Sequence, residues 1–411
     1  MPAIGFEYPD DIKAVRESIG SFVERVVIPT HEKHADLLGN SRLRYDENGR
    51  TTPEVWKVMG EVRQRAAEAG FYTMCVPESM GGGGMGYLAY FAAWERLFHL
   101  AGPRYWLSQV VISHWARGPS VVLGRLQPQF RDEVLPDLMA GRTTLCFALS
   151  EPGAGSDATM IKTQATPDGE GWRLNGGKIW ITNGPYADYA IVFAVTSPER
   201  AAQRRGGISA FFVPTNSPGF EVEGLIKMWG ASGTDEAQLR FNDVRIEPHQ
   251  LIGELHKGFE LAMAGVGLGR IFNAARGIGF GRWALELAID FAKVRETFGK
   301  PVAEHQGVSF PLAESAMHLH AAHLAARNAA VLLDSGLRAQ KELSMAKALA
   351  VEAGSAAVDR AMQAHGAMGF TNEMHLTAAY VALRKAHIAD GSSEILRRQI
   401  AKNLFDGDVE L

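Results

Sequence analysis

Two cysteines in 411 residues, Cys75 and Cys146, are too few for a disulfide framework or a cysteine-based zinc site. Both are expected to be ordinary core residues. Charge is also nearly absent in the net: 42 Lys plus Arg against 46 Asp plus Glu give −4. Such a balance supplies no basic field for a phosphate backbone, so no nucleic-acid partner is expected. No stretch reaches the ~20 apolar residues of a membrane span. The nearest, 262–281, contains Arg270, Asn273 and Arg276 and reads as a buried helix. The first residues, MPAIGFEYPDD, lack a basic segment followed by an apolar one, so no secretory signal is expected. A soluble, cytoplasmic protein is the working class. Catalytic signatures are missing too. There is no Gly-x-Ser-x-Gly elbow, and the glycines at 81–84 and 86 lack the Lys-Ser/Thr end of a P-loop. His318, His320 and His323 miss the four-residue spacing of a helical zinc pair, so no metal is expected. His31 and His34 read as exposed-helix histidines.

What is present is core material: 46% hydrophobic against 21% charged residues, over a length that suits two or three domains. The first third reads as helices. Apolar residues recur at helical spacing over 11–28, where Pro29 is expected to end the run. Thr51 and Glu54 form a capping-box pattern, with Pro53 in the first turn of a helix ending near Gly70. Further helices are expected over 87–99 and 105–126. The character changes near Arg142. TTLCFALS (143–150), YAIVFAV (189–195), GISAFFVP (207–214) and AQLRFNDVRI (237–246) are short, β-rich and bounded by turn residues. No helical runs separate them, which disfavours a parallel dinucleotide-binding sheet. From Lys257 the chain is helical again, with breaks at 299–301, 335–336, 366–369 and 390–392, as in an up-and-down bundle. The expected fold class is α+β multidomain. It comprises an N-terminal all-α domain (1–141), a middle β-barrel or sandwich domain (142–255) and a C-terminal four-helix bundle (256–411).

Four segments carry possible chemistry, and each has a plain structural alternative. SEPGAGSD (150–157) follows a strand. Its glycines let backbone N–H groups approach a planar or anionic ligand, and Ser150 and Ser156 add donors. By composition alone it is a surface turn. In KIWITNG (178–184), Trp180 and Thr182 alternate with isoleucines and share one strand face, where they would cover and bond a flat ligand; an ordinary core-facing strand reads the same. RETFGK (295–300) offers Arg295 for a pyrophosphate, or simply a cationic helix end. In IADGSSEIL (388–396), Asp390 and Gly391 break a helix and Ser392 or Ser393 caps the next. Asp390 and Glu394 form either a carboxylate pair or part of a helix–turn–helix. Gly277, Gly279 and Gly281 loosely echo a dinucleotide fingerprint, but no strand precedes them.

In order and at these spacings the motifs are specific together. The chain from roughly Asp10 to Leu404 resembles the acyl-CoA dehydrogenase family. The carrying segments are PESMGGGGMGYLAYFAAWERL (77–97), ALSEPGAGSD (148–157), GGKIWITNG (176–184), FNDVRIEPHQLIGE (241–254), RETFGKPVAEHQ (295–306), MQAHGAMGF (362–370) and ADGSSEILRRQIAK (389–402). The resemblance implies the three-domain fold read above and FAD as cofactor. It places Leu149, Ser150, Gly155, Ser156, Trp180 and Thr182 around the flavin. Arg295, Phe298, Gln306, Gln363, Gly366, Ser392 and Glu394 fall in further cofactor segments. Ser156, Arg270 and Gly391 are implied at the substrate. A cofactor site shared across subunits implies a homo-oligomer, a tetramer or dimer.

The implied reaction is α,β-dehydrogenation of an acyl-CoA thioester to a 2-enoyl-CoA, with electrons passed to an electron-transfer flavoprotein. A carboxylate takes the α-proton and the β-hydrogen leaves as hydride. The implied base is Asp390, where most of the family carries Glu. Asp is shorter by roughly 1.5 Å, and the Ala-Asp-Gly run resembles a branch that uses Asp. The family's second base location falls on Gly269, which has no side chain to serve. Ala389 stands where an aromatic is common, and Ser232 where an arginine is usual, which points to an unusual or wider acyl group. The alternatives on this fold are a nitroalkane oxidase-like or acyl-CoA oxidase-like flavin enzyme and a non-catalytic flavin-binding assembly protein. A DNA-associated homologue is disfavoured by the acidic end, DGDVEL.

Overall fold

A computed structural model of the chain describes residues 7–204, 206–230 and 233–410. Ser232 and the first six residues, on which expectations rested, lie outside the described residues. The chain forms two compact units. One comprises the residues up to Pro29, Met85–Gln109 and Gly267 onward; the other comprises Thr30–Gly84 and Val110–Val266. Among the described residues no helix is long and apolar enough to cross a membrane.

The chain opens with α1 (Asp10–Phe22), a π turn (Val23–Val27) and α2 (Ile28–Lys33). Pro29 therefore does not end the run, contrary to the sequence expectation. In the wide turn the Ile28 N–H donates to the Val23 carbonyl, five residues back. That shift starts a new helix at Ile28, so the missing proline N–H falls among donors that lack an intrahelical partner anyway. His31 on α2 is buried rather than exposed. Two short helices, α3 (Ala35–Gly39) and α4 (Ser41–Arg44), precede α5 (Pro53–Glu68). The capping box fails. The N-cap is Thr52, its hydroxyl donates to the Leu43 carbonyl at 3.2 Å, and Thr51 sits in a bridge with Tyr45.

The glycine run leads to α6 (Gly86–Ala101). Its first N–H groups are satisfied from outside the helix: Tyr87 and Leu88 donate to the two Asp334 carboxylate oxygens at 2.6 and 2.9 Å. The expected helix over 105–126 is absent. Two 3₁₀ turns, Trp106–Val110 and Val121–Arg125, stand there instead. Gly118 and Pro119 interrupt the segment, and proline both lacks a donor and biases the preceding residue away from helix. Next comes α7 (Pro128–Met139).

The second unit is built on one eight-stranded sheet: β1 (Leu145–Ala148), β2 (Gln164–Asp168), β3 (Gly171–Thr182), β4 (Tyr189–Val195), β5 (Ile208–Pro214), β6 (Phe220–Leu225), β7 (Glu236–Ile246) and β8 (Leu251–Ile252). The order is β6-β7-β3-β2-β4-β5-β8, with β1 parallel to β4. A short helix, α8 (Pro198–Ala202), lies between β4 and β5 in the chain. Alternate residues Ala190, Val192 and Ala194 of β4, Phe211 and Val213 of β5, and Leu239 and Phe241 of β7 fill the core.

The first unit is helical. It holds most of α9 (Gly258–Val294), then α10 (Gln306–Asp334), α11 (Gln340–Ala364), α12 (Leu376–Ala386) and α13 (Ser393–Phe405). The expected breaks fall between these helices. Gly277 has a packing role: a Cβ on it would lie 2.4 Å from the Ala350 carbonyl oxygen, so α9 and α11 touch backbone to backbone.

Candidate active site

In the sheet unit, the segment after β1 carries Leu149, Ser150, Gly155 and Ser156. A buried ion pair fixes its start. The Lys178 ammonium donates to Glu151 Oε1 at 2.8 Å and to the Leu149 carbonyl at 2.9 Å. Glu151 also accepts from the Lys162 and Thr163 N–H groups at 2.6 and 2.9 Å. Burial pushes the Lys178 pKa down to about 8, against the pull of Glu151. Beyond this anchor Gly155 and Ser156 are exposed, and a Cβ at Gly155 would meet open space. The Ile179 N–H donates to the Ser150 carbonyl at 3.0 Å, tying the loop to the strand that bears Trp180 and Thr182.

Trp180 is the unusual residue of β3. The pairing of β3 with β7 slips between Lys178 and Ile181, and Trp180 sits in that bulge at φ 62° with 55% of its surface exposed. A large aromatic in left-handed backbone is costly, and a bulge re-aims a side chain. The Thr182 hydroxyl donates to Glu236 Oε2 at 2.8 Å, so its lone pairs remain to accept. A strained, exposed indole beside an oriented hydroxyl and an open glycine loop fits a flat cofactor of the flavin kind. The sequence showed Trp180 and Thr182 but neither the bulge nor Glu236.

The helical unit holds the remaining positions. Arg295 is exposed just past α9. Phe298 forms, with Gly299, a two-residue hairpin turn between β9 (Glu296–Thr297) and β10 (Lys300–Pro301), at φ 52° and 79°. Its ring is 98% exposed. Gln306 opens α10, while Gln363 and Gly366 lie at the end of α11; all three are exposed. The rings of Phe291 and His365 lie 4.5 Å apart, joining the ends of α9 and α11.

Asp390, Gly391, Ser392, Glu394 and Arg270 come together around the turn between α12 and α13. Ser392 is the N-cap of α13 and accepts from the Ile395 N–H at 3.4 Å. Asp390 and Gly391 take φ of 55° and 98°, a sharp reversal that short polar residues and glycine tolerate. The Arg270 Nε donates to the Asp390 carbonyl at 3.3 Å, and its Nη1 to Ser344 Oγ at 3.3 Å. From α11 the Lys347 ammonium donates to the carbonyls of Ala389 and Gly391, on either side of Asp390. On α9 the Asn273 amide donates to Asp390 Oδ2 at 2.7 Å, and Arg276 donates to the Asn273 oxygen. The Asp390 N–H has no partner among the described residues. Lys347, Asn273, Arg276 and Ser344 did not figure as site residues in the sequence reading. Their only trace there is polarity inside otherwise apolar helical stretches.

Burial raises the Asp390 pKa above the usual carboxylate value; Lys347, Arg276, Arg270 and the Asn273 hydrogen bond oppose it without cancelling it. Burial also lowers Arg270, against Asp390, and brings Lys347 down to about 8. Glu394 behaves in the opposite way. It is exposed, and its backbone N–H and Ser392 hold its carboxyl below the usual range, so it is not paired with Asp390. The arrangement presents one half-buried carboxylate of raised basicity next to an open backbone donor. Those are the parts needed to take a proton from carbon while charge grows on a neighbouring oxygen.

Family models match along almost the whole chain: acyl-CoA dehydrogenase N-terminal domain over residues 9–142, middle domain over 146–244 and C-terminal domain over 256–405. The chain is 39% identical over 336 residues to the mitochondrial short-chain specific acyl-CoA dehydrogenase of Homo sapiens, covering 82% of this chain and 80% of that one. It is 34% identical over 348 residues to the caffeyl-CoA reductase-Etf complex subunit CarC of Acetobacterium woodii, covering 84% and 89%. The structure of butyryl-CoA dehydrogenase from Megasphaera elsdenii superposes with a TM-score of 0.83 at 26% identity, covering 98% of this chain and all of that one.

Proposed function

The chain belongs to the acyl-CoA dehydrogenase family, and from that premise we propose that it converts an acyl-CoA thioester to the 2-enoyl-CoA with Asp390 as the base. It is an oxidoreductase whose cofactor is FAD. When bound, FAD supplies the acceptor for the β-hydrogen as hydride. The Asp390 carboxylate takes the α-proton, and the electron pair of that C–H bond moves toward the thioester carbonyl. The unpartnered Asp390 N–H donates to the thioester oxygen as it gains charge. Arg270 and Lys347 hold the loop through its carbonyls, so the base keeps its place while substrate excludes water.

Trp180, Thr182 and the 149–156 segment are assigned to one face of the flavin. Arg295, Phe298, Gln306, Gln363, Gly366, Ser392 and Glu394 are assigned to the rest of the cofactor, and Ser156, Arg270 and Gly391 to the substrate. A Phe298 ring exposed by 98% at a hairpin tip supports a contact supplied to another subunit, hence a dimer or tetramer. An electron-transfer flavoprotein is the assigned acceptor, in keeping with the Etf complex named for the Acetobacterium relative. The domain limits at 141/142 and 255/256 and a cytoplasmic location go with this reading.

The observation that carries the proposal is a half-buried Asp390 carboxylate, held by Asn273 at 2.7 Å, beside its own free N–H. The test is anaerobic bleaching of the bound flavin by a panel of acyl-CoAs, short chains first, with nitroalkanes alongside. Asp390→Asn should keep FAD and bind acyl-CoA, yet lose flavin reduction by on the order of 10²–10⁴-fold. Full activity in Asp390→Asn, or bleaching by nitroalkanes alone, refutes it.

A further inference from the structure

The assignment of Asp390 as base leaves open how so short a side chain is aimed; the inference below rests on that assignment. Three residues of α9 at positions i, i+4 and i+7 form a receptacle for its carboxylate. Gly269 gives space: a Cβ there would lie 2.4 Å from Asp390 Oδ2. Asn273, 1% exposed, spends its amide donors on Asp390 Oδ2 at 2.7 Å and on the Gly269 carbonyl at 2.9 Å. Arg276 donates to the Asn273 oxygen. A guanidinium can only donate, so the oxygen end of the amide must face Arg276 and the NH₂ end must face Asp390. The amide cannot turn over without setting donor against donor.

We propose that Asn273 is a positioning residue for the base: locked by Arg276, it holds Asp390 Oδ2 and leaves Oδ1 as the oxygen that accepts the α-proton. In that step the α-C–H bond breaks, the proton goes to Oδ1 and the bonding pair stays with the substrate. The same hydrogen bond stabilises the ionised carboxylate against burial. The charged groups facing Asp390 are Arg270 and Arg276 from α9 and Lys347 from α11. All three keep their charge when Asn273 alone is changed below the lysine's titration near pH 8.

Two variants of the FAD-loaded full chain test this. Asn273→Leu keeps the branched shape and the number of heavy atoms and removes the donor. Asn273→Asp keeps both the shape and the Arg276 partner but cannot donate when ionised. Flavin reduction is followed under single-turnover conditions across pH, and KM is taken from steady-state turnover with an artificial electron acceptor. Asn273→Leu should move the acid limb up by about one unit and lower the plateau rate by about 10²-fold, with KM little changed. Asn273→Asp should move the limb further, because two carboxylates then share the site. Difference infrared titration gives a readout without turnover. The carboxyl band missing from Asp390→Asn is that of Asp390, and its midpoint should rise in both Asn273 variants. Unchanged limb and band in either folded variant, or a change in KM alone, overturns the positioning role. If Asp390→Asn itself retains activity, the base assignment falls and this role with it. An inactive Asp390→Asn beside unaltered Asn273 variants removes this inference only.

Discussion

Lys347 is 1% exposed and still carries a charge, which its two loop carbonyls offset only in part. Burial lowers its pKa from 10.5 to about 8. Between those values the unfolded chain binds more protons than the folded one, so folding stability gains with rising pH. The cost of the buried charge is full below about pH 8 and is relieved towards 10.5. Urea melts of wild type and Lys347→Met at pH 7.5 and pH 10 should therefore show the difference shifting in favour of wild type at the higher pH. The same substitution removes a cation that holds Asp390 down, so the acid limb of flavin reduction should move up. At this scale the sequence showed Asp390 and its cap Ser392, because a helix break with Asp-Gly-Ser is a local pattern. Lys347 and Asn273 reach Asp390 from 43 and 117 residues away in the chain, and no local pattern records such a meeting.

Strand β3 shows how an element can be strained to present one side chain. Trp180 would sit more easily in ordinary extended backbone, yet the bulge holds it at φ 62° and turns it outward. Asparagine tolerates that conformation. Trp180→Asn should thus leave the FAD-free protein at least as stable, by up to about 1 kcal/mol, in thermal melts. It should raise the FAD dissociation constant by about five- to tenfold, since the assigned aromatic contact of ~1–1.5 kcal/mol would be lost. Weaker melting together with unaltered FAD affinity would contradict the assigned cofactor contact. The helices of the last 150 residues and most strands were legible from periodicity and turn residues. The π turn before Pro29 and the 3₁₀ turns in place of a helix over 105–126 were not. In both cases a proline met an apolar pattern, and packing rather than local preference decided the outcome.

At the scale of the molecule, the helical unit is tied by a carboxylate with no exposure at all. Glu95 on α6 accepts from Arg16 of α1 and Arg282 of α9 at 2.5 Å each. Burial pushes its pKa up, but the two guanidinium groups more than reverse this and bring it to about 2. A depressed carboxylate contributes stability above its unfolded value, near 4.5, which is lost as pH falls through about 2. Glu95→Gln should cost on the order of 3–5 kcal/mol near neutral pH by leaving cations unpaired, and the gap to wild type should close in acid. Denaturation at pH 7 and pH 2.5 checks both. The order of helices, sheet and helices was readable from composition along the chain. The gathering of α1 and α6 with the last helices was not, because it depends on contacts far apart in sequence.

The bare backbone at Gly269 has an evolutionary consequence. The volume a longer residue would need there is already filled by the carboxylate of Asp390. A glutamate introduced at 269 would evict the resident acid before it could replace it. On the proposed assignment of Asp390 as base, moving the proton acceptor from the loop to the helix therefore calls for a change at 390 as well as at 269, since both side chains claim one volume.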